Sequence, residues 1–172
     1  MTMDKTPIYD KTVAYASEHG ELEEYRASFK ANMACRNAIT EALAKYYKDN
    51  ILDTNSALKE LTEGFTLERI ALVIAVTVRE QEWDGRISHT NKEWAKSVPF
   101  TKDIDNWGND RNAAFRVSGI HTGLIDLFAH TVRKELENTK TDIIKKPSLL
   151  AKIQQPLPEK NSTSSKTKEQ EL

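Results

Sequence analysis

The sequence contains one cysteine, Cys35, among its 172 residues. A single cysteine cannot form a disulfide within the chain, and it leaves a structural zinc site without the cysteine pairs that such sites use. The position of Cys35 within a helical pattern, beside Ala34 and one turn before Ile39, predicts a buried, unreactive thiol. Low cysteine use therefore favours a protein of a reducing compartment.

Glycine and proline are also scarce, with six and five residues, which argues against a β-sandwich with its frequent turns. No apolar run reaches the length that crosses a bilayer, and the first 20 residues lack the apolar centre of a signal peptide. These absences predict a helix-rich cytoplasmic protein that has no membrane partner.

Short motifs with a known mechanism are missing. The chain has no glycine-rich phosphate loop, no HExxH, no GxSxG and no CxxC pair. Its four histidines are isolated from one another in the predicted helices: His19, His89, His121 and His130. We therefore expect no metal site and no cofactor.

Charge is nearly balanced, with a formal net charge of −1. The last 28 residues carry six lysines and three glutamates, so the preceding 144 residues have a net charge of −4. Any contact with nucleic acid must therefore be local. Arg26 and Lys30 lie one helical turn apart and form either a small basic stripe or a solvated face with Glu23.

The spacing of apolar residues predicts a mainly α, single compact domain of about five or six helices over residues 1 to 140. In chain order we expect first a short helix closed by Gly20, a long helix from Glu21 to about Lys48, and a helix from about Asn55 to Glu63 capped by Thr54. These are followed by a central helix capped by Thr66 that runs through Trp83, a short helix capped by Ser88 that runs through Ser97, and a last helix from about Leu124 to Glu137 capped by Thr122.

Residues 70 to 78 are apolar on nearly every side, so the fourth helix should be the central, most buried one. The β-branched residues of VIAVTV also permit a buried strand at this position. Residues 99 to 112 read as an irregular loop, and the following AAFRVSGIHTG is typical of a short extended segment. Residues 141 to 172 are rich in lysine and serine and poor in aromatic side chains, which predicts a disordered tail.

The segment EWDGRISHTNKEWAK, residues 82 to 96, is the densest polar cluster of the chain. One interpretation is structural: Gly85 ends the central helix, Trp83 packs into the core, and Asp84 and Arg86 pair or cap helix ends.

A second interpretation is a surface that binds a protein or RNA partner. Tryptophan and arginine are enriched in protein hot spots and also stack on bases, so the two partners are not separable by composition. The candidate residues for this surface are Asp84, Arg86, His89, Asn91, Lys92, Trp94 and Trp107.

A third interpretation is catalysis. Glu82, Asp84 and His89 are close in sequence, and His121 at the start of the last helix completes a carboxylate and imidazole set for general acid–base cleavage of RNA. Such pairs are common by chance, so an enzyme is the less favoured expectation.

Three segments together resemble a known family: AYASEHGELEEYRASFKANMACRNAI, FTLERIALVIAVTVREQEWDGRISHTNKEWAKSVP and GIHTGLIDLF. They are similar to a domain of uncharacterised function common on plasmids and integrative elements of Gram-positive bacteria, over about residues 9 to 135. The order of the segments agrees as well. One departure is His121-Thr122-Gly123-Leu124, where the family pattern has proline at the second position.

The resemblance implies a setting of conjugation, replication and evasion of host defence. In that setting we expect a non-enzymatic accessory protein, most concretely an anti-CRISPR protein that engages an RNA-guided effector nuclease and interferes with its guide RNA or target DNA. An RNA-cleaving enzyme and a non-catalytic interaction module of a conjugative element are the two alternatives.

Overall fold

A computed structural model describes the backbone of residues 3 to 154 and the side chains of residues 3 to 140. The elements of this part of the chain are α1 (Val13–Glu18), α2 (Leu22–Lys45), β1 (Tyr47–Lys48), β2 (Ile51–Leu52), α3 (Thr54–Thr62), α4 (Leu67–Glu80), α5 (His89–Ser97), a 3-10 helix (Arg111–Phe115) and α6 (Thr122–Gln154). The mainly α prediction is confirmed.

α4 is the central helix. The Thr66 hydroxyl caps it by accepting a hydrogen bond from the backbone N–H of Arg69 at 3.3 Å, and no glycine or proline interrupts the turns that follow. Every residue from Arg69 to Val78 is buried. Burying each large aliphatic side chain contributes roughly 1.5 to 3 kcal/mol, so this helix dominates the core. The alternative of a buried strand here is wrong.

The first helices follow their local signals. Thr12 caps α1, and Gly20, with a φ of 69°, turns the chain into α2. α2 ends at Lys45, earlier than expected, because Tyr47 to Leu52 form an antiparallel hairpin. Its turn residues Asp49 and Asn50 both have positive φ, which is the geometry of the tightest hairpin turns.

The cap of α3 is Asp53 and not Thr54. The Asp53 carboxylate accepts a hydrogen bond from the backbone N–H of Ser56 at 3.1 Å, whereas the Thr54 hydroxyl bonds to that of Thr131 at 2.7 Å. Aspartate and threonine are both favoured N-cap residues, so the sequence alone does not identify which of these two adjacent residues caps α3.

The second half of the described chain contains α5, whose predicted Ser88 cap and Ser97 end are confirmed. The expected extended segment is instead a 3-10 helix that buries Phe115, followed by an irregular stretch in which the backbone N–H of Val117 donates to the Thr77 hydroxyl at 2.9 Å. These buried anchors attach the long loop to α4.

α6 continues to Gln154, beyond the expected end near Glu137. The chain divides into two compact units, Met1–Leu136 and Glu137–Leu172. Residues 155 to 172 of the predicted tail lie outside the described residues, so its disorder stays a prediction. No helix among the described residues has both the length and the apolar content that are needed to span a bilayer.

Candidate functional site

The turn between α4 and α5 is built by short-range hydrogen bonds. The backbone N–H of Asp84 donates to the carbonyl of Gln81 at 2.9 Å, and that of Ile87 donates to the carbonyl of Asp84 at 3.2 Å. Ile87 is buried and fixes the turn to the core. Gly85 does not have positive φ, so it is not the residue that ends α4, and that prediction is wrong. The helix ends at Glu80, one turn earlier than expected.

Asp84 and Arg86 form the centre of this turn. Oδ1 of Asp84 accepts from the Arg86 backbone N–H at 2.9 Å and from its Nε at 3.0 Å, while Oδ2 accepts from Nη2 at 2.7 Å. The Asp84 side chain is 5% exposed and that of Arg86 is 54% exposed. The paired guanidinium and backbone N–H hold the pKa of Asp84 far below its usual range. Asp84 is therefore a buried residue that stabilises the turn, whereas about half of the Arg86 side chain stays exposed to solvent.

His121 joins the pair from the start of α6. Its Nε2 lies 3.2 Å from Nη1 of Arg86, and its Nδ1 faces the backbone N–H of Gly123 at 3.0 Å. A neutral imidazole has one acceptor nitrogen, so it cannot accept from both donors. Because the N–H of Gly123 is a fixed donor, Nδ1 is assigned as the acceptor. The approach of Nε2 to Nη1 of Arg86 is then a contact without a hydrogen bond, since a guanidinium has no acceptor atom.

This arrangement makes His121 the cap of α6, since its side chain accepts from the second residue of the helix. The prediction that Thr122 is the cap is wrong. Thr122 is buried, and its hydroxyl donates to Oε1 of Gln81 at 3.0 Å, joining α6 to the end of α4. The sequence does not predict that His121 caps a helix, because histidine is not among the preferred N-cap residues.

Asn91 holds α5 against α6. Its Nδ2 donates to the carbonyl of Asp126 at 3.0 Å and to Oδ1 of Asp126 at 2.7 Å, and its own Oδ1 accepts from Nε of Arg133 at 3.1 Å. The Ser88 backbone N–H donates to the same Asp126 carboxylate at 2.9 Å. Asn91 is 1% exposed and is not available to a partner. His89 is exposed and Lys92 is half-buried on the same helix.

The tryptophans are placed differently from the expectation. Trp83 is 79% exposed, so the interpretation that it packs into the core is wrong. Trp94, expected to present a flat face, is half-buried and packs against the core. Trp107 is 87% exposed in a loop where Oδ1 of Asp105 accepts from its backbone N–H at 2.8 Å. Two indoles are therefore open to solvent.

Lysines surround Glu82, the residue that precedes Trp83. Nζ of Lys96 lies 2.6 Å from Glu82 and 3.5 Å from Glu93, and all three side chains are about half exposed. The hydrogen bond from Lys96 lowers the pKa of Glu82, and the charges of Lys96, Lys92 and Lys102 add to this effect. We call the exposed residues Glu82, Trp83, Arg86 and Lys96 the Trp83 surface.

A cleft of about 390 Å³ lies between the end of α4, α5 and the following loop. Arg79 lines it, donating from Nε to the carbonyl of Ala95 at 2.9 Å and from Nη2 to that of Val98. The other charged residues of its wall are Glu80, Glu82, Lys96, Lys102 and Asp110. Acids and bases balance there, so this cleft does not select a charge type.

The predicted catalytic set is only partly brought together. Asp84, Arg86 and His121 are in contact, whereas Glu82 pairs with Lys96, and no hydrogen bond joins His89 to either group among the described residues. Within the same residues, no group of three or more histidine, cysteine or acidic side chains is placed to hold a metal ion.

The chain belongs to the family described as protein of unknown function (DUF3849), whose family model matches residues 8–137. The expectation of an uncharacterised domain family over this part of the chain is thereby confirmed. No curated protein and no solved structure matches the chain.

Proposed function

We propose that this member of the DUF3849 family is a non-enzymatic accessory protein of a mobile genetic element, and that it binds a macromolecular partner through the Trp83 surface. The proposed partner is an RNA-guided effector nuclease, whose guide RNA or target DNA the bound protein obstructs, as an anti-CRISPR protein does. The resemblance of the sequence to domains of plasmids and integrative elements supports this setting. The observation that carries the binding role is the 79% exposure of Trp83.

An indole in that position has a large area to bury against a partner. Tryptophan side chains bury roughly 150 to 250 Å² when enclosed, and tryptophan is among the residues most enriched in binding hot spots. At about 25 cal/mol per Å² this area corresponds to several kcal/mol before the entropy of association is subtracted. The neighbouring Glu82, Arg86 and Lys96 provide the polar and charged surroundings typical of an interface rim.

The turn below Trp83 is already ordered. Asp84 accepts three hydrogen bonds from Arg86, and Ile87 is buried directly after them. Because the backbone is fixed before a partner arrives, little conformational entropy remains to be lost on binding. A rigid turn that presents an exposed indole is what a preformed contact surface requires.

The same contacts argue against acid–base catalysis. Hydrogen bonds from Lys96 and Arg86 lower the pKa values of Glu82 and Asp84, so both carboxylates are ionised and weakly basic near neutral pH. An RNA-cleaving enzyme stays the second candidate because the structure places His121 beside Arg86, at 3.2 Å.

The binding proposal is tested by size-exclusion co-elution and by titration with an RNA-guided nuclease loaded with its guide. We expect Trp83→Ala to weaken the complex at least tenfold, since about 2 kcal/mol is typical of a hot-spot truncation. Ile51→Ala is the matched control: Ile51 is an apolar side chain of the hairpin with 69% exposure. Wild-type affinity in a folded Trp83→Ala protein would refute the site.

A separate incubation of labelled guide RNA distinguishes binding from cleavage. Intact RNA, with an altered mobility of the nuclease complex, agrees with the proposal. Discrete fragments that disappear in His121→Asn or His89→Ala, both tested as folded proteins, would establish the enzymatic alternative instead.

A further inference from the structure

A second cavity, of about 480 Å³, opens widely between α2 and the 3-10 helix. It is lined by Tyr25, Arg26, Phe29, Lys30, Arg111 and Ala114, and we call it the α2 depression. No residue of the Trp83 surface lines it. Its volume is within the range of sites that hold small ligands or single nucleotides.

The floor of the α2 depression is aromatic and held in place. Phe29 meets Phe115 edge to face with ring centres 5.6 Å apart, and it lies 6.0 Å from the ring of Tyr25. Tyr25 also meets Tyr9 edge to face at 6.0 Å. Burial raises the pKa of Tyr25, so its phenol is neutral. Both floor residues are half-buried, which leaves part of each ring uncovered.

The rim is cationic. Arg26 and Lys30 are exposed, one helical turn apart, and neither forms an ion pair within 4.0 Å among the described residues. Nη1 of Arg36 donates to the carbonyl of Ala114 at 2.6 Å, which places a third cation beside the wall of the depression.

Arg111 also lines the rim, but its charge is offset because its Nη1 lies 2.8 Å from Oδ1 of Asp103. The two exposed positive charges of Arg26 and Lys30 therefore border an apolar, aromatic floor. The first 144 residues have a net charge of −4, so this local excess of positive charge is not a property of the surface as a whole. Exposed cations that border an aromatic floor favour a ligand that has a flat apolar part and a negative charge.

We infer that the α2 depression binds one nucleotide unit of a single-stranded nucleic acid, with the base against Tyr25 and Phe29 and the phosphate between Arg26 and Lys30. Proteins that hold single strands combine a cationic groove for the backbone with aromatic side chains for the bases. An acidic peptide satisfies the cations but makes no use of an aromatic floor. The inference concerns residues outside the Trp83 surface and does not depend on the identity of the protein partner.

The test is fluorescence anisotropy of the full chain with a labelled oligouridylate of about ten nucleotides, a length within the usual range of single-strand sites. The double variant Arg26→Ala/Lys30→Ala removes the two exposed cations. Its control is Lys48→Ala/Lys59→Ala, which removes the same charge from the hairpin and α3. All four side chains are exposed, so thermal unfolding curves should match that of the wild type.

We expect the rim variant to bind at least about tenfold more weakly at low salt, and its plot of log affinity against log salt to flatten by about 0.7 units, the value for one lost phosphate contact on a single strand. The control should flatten the slope much less. An oligomer of abasic nucleotides should bind the wild type at least about fivefold more weakly, because stacking on the floor is lost. Oligodeoxyuridylate measures whether the 2′-hydroxyl contributes, and equal or weaker binding of DNA both agree with the inference.

Several results would overturn it. These are an unchanged salt slope in the folded rim variant, an equal loss in the control variant, abasic binding as tight as that of the oligouridylate, or tighter binding of a polyglutamate of matched charge. Absence of measurable binding to any oligonucleotide at low salt would overturn it as well.

Discussion

Arg69 lies in the core with none of its surface exposed. Its Nη2 donates to the carbonyl of Thr6 at 2.8 Å, and its Nη1 donates to the carbonyl of Ser28 at 3.0 Å and to Oδ1 of Asn32. No carboxylate forms an ion pair with it among the described residues, Nε has no partner, and burial lowers its pKa. This cation joins the N-terminal segment to α2 and α4 at considerable desolvation cost.

Replacing Arg69 by alanine should destabilise the domain strongly. The change leaves a cavity and deprives two carbonyls and one buried amide of their donor, which together predict a loss of about 3 kcal/mol or more in the free energy of unfolding. Urea denaturation measures it, with Arg26→Ala as the exposed arginine control, expected within about 0.5 kcal/mol of the wild type. Equal midpoints for both variants would contradict the structural role of Arg69.

Asp84 should make stability depend on pH. Its pKa is lowered in the folded protein, so the folded state binds the proton less readily than the unfolded state, whose aspartate pKa is about 3.9. The stabilisation is therefore present above that value and is lost as the pH falls below it.

Asp84→Asn cannot take up the proton and isolates this effect from that of the other acids. Urea denaturation should find the wild type more stable than Asp84→Asn at pH 7, and the difference should shrink at pH 3. A difference that is constant with pH would show that the Asp84 charge has no part in holding the turn.

At the scale of elements, two glycines with different backbones provide a matched test of how the helices are joined. Gly20 links α1 to α2 with a φ of 69°, whereas Gly85 lies between α4 and α5 without positive φ and with open space where a Cβ would be. Gly20→Ala should lower the free energy of unfolding by about 1 kcal/mol or more, while Gly85→Ala should be neutral or stabilise by up to about 1 kcal/mol. Thermal melts of the two variants measure the contrast, and the reverse order would contradict the assigned turn geometry.

The helices that the sequence predicts well are those whose caps are local. Thr12, Thr66 and Ser88 each accept from a backbone N–H three residues later, so the signal and the structure occupy the same few residues. The hairpin was missed because its turn pair, Asp49 and Asn50, has no glycine and follows a long helical pattern.

The candidate site was harder to predict because its polar residues are used over long sequence distances. Asn91 has the composition of a contact residue, but Asp126 and Arg133, 35 and 42 residues away, take up its hydrogen-bonding groups. The exposure of Trp83 depends on α4 ending at Glu80, and helix ends are the part of a pattern that tertiary contacts change most easily. The sequence therefore identified residues 82 to 96 as a polar segment but did not show which of its side chains are buried and which are exposed.

At the scale of the whole molecule, three boundaries nearly coincide. The family match ends at residue 137, the first compact unit ends at Leu136, and Leu136 is the last described side chain that packs against the core. A chain that ends at residue 140 should therefore keep the core intact, because the described core contacts are all retained. We expect its melting temperature to agree with that of the full chain within about 2 °C, as measured by circular dichroism.

A shorter chain, ending at residue 130, provides the control for this truncation. It removes Val132, which is fully buried, together with Leu136 and the hydrogen bond from Arg133 to Asn91. Losing two apolar side chains from the core costs roughly 3 to 6 kcal/mol, a large share of the stability of a domain of this size. The chain ending at 130 should therefore melt far lower or fail to fold. If the chain ending at 140 were equally unstable, residues 141 to 172 would have to contribute to the stability of the first unit.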